Sequence, residues 1–66
     1  MKDLQKCLEG WGLGISVEKL VDKVYWIMAA HGHDVCMLNE RYLIVDGQAY
    51  RFIKSRKNNC WIAKPF

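Results

Sequence analysis

Apolar positions recur at helical spacing through the first half of the chain and at strand spacing through the second. Leu4, Cys7, Leu8 and Trp11 fall at i, i+3, i+4 and i+7, one face of a short helix. Asp3 stands where a cap belongs, and a carboxylate there suits the helix dipole. Gly10, Gly12 and Gly14 end this helix. One or two turns are marginal alone, so it must dock through Leu8 and Trp11. Ser16 opens the principal helix as its N-cap, with Glu18 in the first turn. Val17, Leu20, Val21, Val24, Ile27 and Met28 form the core stripe, while Lys19, Asp22 and Lys23 mark the solvent side. The helix ends near Gly32, with His31 in its last turn. Its second half, Val24 to Ala30, is apolar around the full circumference, the pattern of a helix covered on more than one side. A sheet covers one side and the first helix part of the rest, which leaves surface for a partner.

From Val35 the period changes. Val35-Cys36-Met37-Leu38 is a short strand or an extended linker. Arg41 to Val45 is a strand by its β-branched and aromatic content. Asp46-Gly47 follows, the dipeptide best suited to the positive φ angles of a tight hairpin. Gln48 to Lys54 forms the returning strand, Ser55 to Asn59 is polar and turn-forming, and Cys60 to Ala63 is a third strand before Pro65. The expected fold is therefore α+β: a short N-terminal helix, one principal amphipathic helix, then a three-stranded antiparallel meander packed on it. Register at the hairpin depends on whether the turn has two residues or a bulge, because a one-residue slip exchanges the faces of a strand. The bulged form places Tyr42, Ile44, Tyr50 and Phe52 together on one face as a coherent core, and is the form expected.

Length and composition sharpen this picture. The 66 residues make a single domain, 1–66, yet 52% of them are hydrophobic. A domain near this size buries only about 60% of the surface its unfolded chain exposes, so some apolar surface should face another molecule. The longest apolar run is far shorter than the roughly 20 residues that span a bilayer, and the first residues lack the apolar core of a secretory signal. The chain reads as cytoplasmic, with no membrane partner. Cys7, Cys36 and Cys60 are odd in number and widely spaced, as free buried thiols in a reducing compartment would be. Charge is uneven. Residues 1–38 carry four Lys against five acids, and residues 39–66 carry six bases against Glu40 and Asp46. Attraction to a polyanion therefore belongs to the strands.

Four constellations are candidate sites. Arg41, Arg51, Lys54, Arg56, Lys57 and Lys64 around Trp61 could neutralise phosphates while the indole stacks on a base, although no named nucleic-acid motif is present. His31, His33 and Cys36 could offer zinc ligands, but the paired spacings of structural zinc sites are missing, so no metal or other cofactor is expected. A Cys36 thiol beside His33 or His31 would need a positioned base and orienting group, and a chain this short has little material for a pocket. No catalytic residue is assigned, and the expectation is a protein that is not an enzyme. Tyr25, Trp26, Met28 and Trp61 are the candidate partner contacts, since large rings bury much area with few torsions.

The opening, Met1-Lys2-Asp3-Leu4-Gln5-Lys6-Cys7-Leu8-Glu9-Gly10-Trp11-Gly12, resembles the start of the Q-type antitermination proteins of lambdoid phages. Nothing after Leu13 follows that family's pattern, and its cysteine-bearing zinc region has no counterpart, so no functional residue is carried over. The resemblance implies a phage or prophage setting, not antitermination itself. The leading expectation is a small interaction protein, an accessory factor or inhibitor, that docks on a protein partner or forms a homodimer. The alternatives are a nucleic-acid-binding module that uses the basic strand face and a toxin-like nuclease.

Overall fold

The computed structural model describes residues 2–65. The elements are α1 (Lys2–Glu9), α2 (Val17–Ala30), β1 (Val35–Met37), β2 (Tyr42–Val45), β3 (Gln48–Ser55) and β4 (Cys60–Pro65). The strands form one antiparallel sheet in the order β1-β2-β3-β4. The fold is α+β, with four strands where three were expected. The additional strand is β1, whose Val35, Cys36 and Met37 pair with Val45, Ile44 and Leu43. Three residues carry too little alternation to declare themselves. The pairing is made by β2, and the Asp46 N–H bond to the Asp34 carbonyl at 2.7 Å carries it one step further.

α2 starts where its cap chemistry predicts. Ser16 holds extended backbone, and its hydroxyl accepts the Lys19 N–H, satisfying one of the donors a helix leaves orphaned. The helix stops in a Schellman motif: Gly32 takes φ +89°, its N–H reaches the Ala29 carbonyl, and the His33 N–H reaches Met28. Glycine tolerates that left-handed backbone because it lacks a Cβ. The motif matters to the rest of the molecule because it sets His33 immediately beyond the helix end. α1 differs slightly from expectation, since Asp3 lies inside its first turn and is not its cap.

The hairpin register corrects the sequence reading. Val45 pairs with Gln48, Ile44 with Ala49, Leu43 with Tyr50 and Tyr42 with Arg51, so the turn has two residues and no bulge. Asp46 and Gly47 both have positive φ, +51° and +85°, the requirement of a type I′ turn. The slip moves Leu43 and Val45 to the core and turns Tyr42 and Ile44 outward. One side chain and one backbone N–H, both remote in sequence, engage Asp46 in its left-handed conformation. Its carboxylate accepts the Asp34 N–H at 3.0 Å and meets His33 Nδ1 at 2.8 Å.

One buried cluster joins Leu4 and Leu8 of α1, Leu20, Val21, Val24 and Met28 of α2, and Leu43, Val45, Phe52 and Trp61 of the sheet. All four sheet residues lie on one face by the strand pairing, so both helices cover the same side. Gln5 of α1 also donates to the Trp61 carbonyl at 3.3 Å, which satisfies a backbone acceptor on the free edge of β4 and blunts that edge against further strand pairing.

Candidate docking surface

With both helices on one side, the opposite face of the sheet is open. Strand pairing arranges its side chains in rows. Cys36, Ile44 and Ala49 form the first row and Tyr42, Arg51 and Lys64 the second. Ile53 with Ile62 forms the third and Ser55 with Cys60 the fourth. Side chains two residues apart along a strand share a face at a spacing of about 7 Å. Apolar rows therefore flank a basic one on both sides. Ile53 is exposed, Ile44 and Ile62 are half-buried by their neighbours, and Arg51 and Lys64 are exposed. No aspartate or glutamate occupies any of these outward positions. The nearest along the chain are Asp34, Glu40 and Asp46, each two residues from an outward position, and Glu9 lines a shallow cleft between α1 and the β4 edge together with Cys60 and Ile62.

The four residues expected as partner contacts separate. Trp26 is 64% exposed, and Tyr25 beside it is half-buried, the two rings meeting edge to face at 5.2 Å. Met28 and Trp61 are corrected to core residues, at 0% and 2% exposure. Met28 lies on the α2 stripe that faces the sheet. Trp61 points inward from β4, under the glycine-rich segment after α1, where its Nε1 donates to the Gly12 carbonyl at 3.1 Å. Such a partner is what a buried indole N–H requires. It also explains why that segment is held against the core.

The six basic residues do not form one face around Trp61, which corrects the basic-face grouping. Arg51 and Lys64 are register partners on the open side. Lys54 is on the other side, with its Nζ 5.5 Å from the Trp61 ring centroid. There its stem shields the indole while the charge reaches water. Arg41 lies beside Glu18 of α2 at 3.5 Å, and Arg56 and Lys57 occupy the β3–β4 turn.

Nor do the His and Cys residues combine. His31 is exposed at the end of α2, and Cys36 is on the open face. Among the described residues, no group of three or more His, Cys, Asp and Glu side chains is placed to hold a metal ion. Burial pushes the Cys7 thiol above its ordinary value, against a smaller opposing effect of its hydrogen bond with Trp11. A thiol so placed is a poor nucleophile. His33 instead forms a clamp, its Nδ1 2.8 Å from Asp46 and its Nε2 3.1 Å from Asp3. It ties α1, the end of α2 and the β2–β3 turn together. Satisfying both carboxylates requires a proton on each ring nitrogen. Hydrogen bonds to Asp46 and then Asp3 accordingly raise the His33 pKa, and the same imidazolium together with the Asp34 N–H lowers that of Asp46. Sequence reasoning missed this clamp because its members are 13 and 30 residues apart. It missed the open face because the wrong register hid Ile44 in the core.

Among the described residues, no helix is long and apolar enough to cross a membrane. No family model, curated protein or solved structure matches the chain.

Proposed function

We propose that this protein is a non-catalytic interaction module that docks on a protein partner. The observation that carries the reading is the open sheet face, where Ile44, Ile53 and Ile62 stand outward, opposite the face that the helices bury, with Ile62 at the rim of the cleft beside α1. Apolar rows left outward on both sides of a basic pair offer a partner both apolar area and charge, and exposed apolar surface rimmed by polar residues marks binding sites. Trp26 adds a separate apolar spot on the far side of α2, next to the exposed Ala29 and Ala30. The phage or prophage setting implied by the first dozen residues suits an accessory factor or inhibitor working in the cytoplasm, and no chemistry at the site calls for a cofactor.

A homodimer whose two-fold axis passes through the basic row is disfavoured, since Arg51 and Lys64 of each copy would then meet their own kind. Nucleic-acid binding is the second reading, favoured by the adjacent Arg51 and Lys64 but opposed by the inward turn of Trp61. Affinity purification of the tagged chain from its host, with and without nuclease, separates the two. The docking reading expects a stoichiometric protein that survives nuclease and is lost from an Ile44→Glu variant of unchanged circular dichroism. Material that disappears with nuclease, or a partner indifferent to that substitution, would overturn it.

A further inference from the structure

Resting on the docking reading above, we infer that the open sheet face takes an acidic protein segment in which a carboxylate is flanked by aliphatic side chains. Two observations converge on this chemistry. The first is charge. Arg51 and Lys64 are directly opposite one another on β3 and β4, and like charges in register repel and weaken a sheet. Among the described residues neither has a carboxylate within ion-pair distance. Arg56 and Lys57 extend the positive field at the end of the same two strands. An arriving carboxylate neutralises a repulsion that the free protein retains, and the field speeds its approach.

The second observation is pattern. The basic row lies between the row of Ile44 and the row of Ile53 and Ile62, each about 7 Å away along the strands. An extended segment lying along the strands presents the side chains of its own face at the same interval. A Leu-x-Glu-x-Leu spacing therefore sets its glutamate over Arg51 and Lys64 and its leucines over the isoleucine rows. A nucleic acid fits this face less well. Single strands gain affinity by stacking bases on exposed rings, and among the described residues the outward positions hold one ring, Tyr42, beside three isoleucines. The larger rings Phe52 and Trp61 belong to the core. A phosphate backbone has nothing to place on the isoleucines.

The experiment is an NMR titration of the full chain with three probes. These are a twelve-residue peptide carrying Leu-x-Glu-x-Leu, the same peptide with lysine for glutamate, and a twelve-nucleotide oligothymidine. The expected result is that the glutamate peptide shifts the Ile44, Ile53 and Ile62 methyls and the Arg51 and Lys64 amides. Its affinity should fall at least tenfold in Arg51→Gln/Lys64→Gln, whose core resonances stay in place, and the lysine peptide should leave these signals unmoved. Equal response to both peptides, or shifts confined to α2 or to the β1 edge, would overturn the acidic assignment. So would oligothymidine binding to the same methyls more tightly than the glutamate peptide. If nuclease-resistant co-purification survives while the peptide test fails, docking stands and only the partner's chemistry is wrong. If both fail, the docking reading falls too.

Discussion

Leu43 and Ile44 are adjacent, similar in size and on opposite faces, so truncating each in turn measures the register directly. Leu43 is fully buried. Leu43→Ala removes three carbons at about 0.8 kcal/mol each, and the cavity left behind brings the total to about 3 kcal/mol. A chain of 66 residues has roughly 3–10 kcal/mol of stability at the usual per-residue value. The substitution thus takes a third or more of it. Ile44 faces outward, half-buried between the small side chains of Cys36 and Ala49. Ile44→Ala should cost about 1 kcal/mol, since only part of the side chain leaves water on folding. Urea unfolding followed by far-ultraviolet circular dichroism reads both. With a slope near 1 kcal/mol per molar for a protein this small, the midpoint should fall by about 3 M for Leu43→Ala and by about 1 M for Ile44→Ala. Equal losses, or a larger loss at Ile44, would mean that the hairpin has the bulged register and that the isoleucine face does not exist.

Three further outcomes follow from the same geometry. Gly47→Ala meets no atom within 4 Å but must hold φ +85°, so it should cost about 1 kcal/mol, the penalty for left-handed backbone, with no change in the outer-face NMR signals. His33 has its pKa raised above its ordinary 6.5 and Asp46 has its own lowered below 3.8. Their clamp should therefore stabilise fully between those values, weaken as pH rises through the folded His33 pKa, and weaken again as pH falls through that of Asp46. Urea midpoints of wild type and His33→Gln across pH should converge on the alkaline side, and a constant difference would refute the clamp. Arg51→Gln should raise stability at low salt by roughly 0.2–1 kcal/mol by removing the cross-strand repulsion, and the gain should shrink in 0.5 M salt.

The helices were legible because their signals are local. Ser16 and Gly32 mark the ends of α2 by cap chemistry, and the spacing of Leu20, Val21, Val24 and Met28 marks its buried stripe. The Asp46-Gly47 turn was equally plain, but its register was not. A bulge and a type I′ turn offer two plausible faces from the same residues, and the choice is made by His33 and the Asp34 N–H holding the Asp46 carboxylate. The candidate site inherited that ambiguity, because Ile44 and Arg51 become surface neighbours only once the register is known. Trp61 was read outward for a related reason. A ring near basic residues looks like a stacking platform until Gly12, far away in sequence, claims its N–H.

The helices cover one face of the sheet, and the proposed protein partner would cover the isoleucine face. Methyl NMR with a soluble paramagnetic agent tests this arrangement in one experiment, run on the free protein and on its complex with the co-purified partner. In the free protein the Ile44, Ile53 and Ile62 methyls should broaden strongly while those of Leu20, Leu43 and Val45 stay sharp, and in the complex the three isoleucines should become protected. Isoleucines already protected in the free protein, or still fully broadened in the complex, would contradict the account.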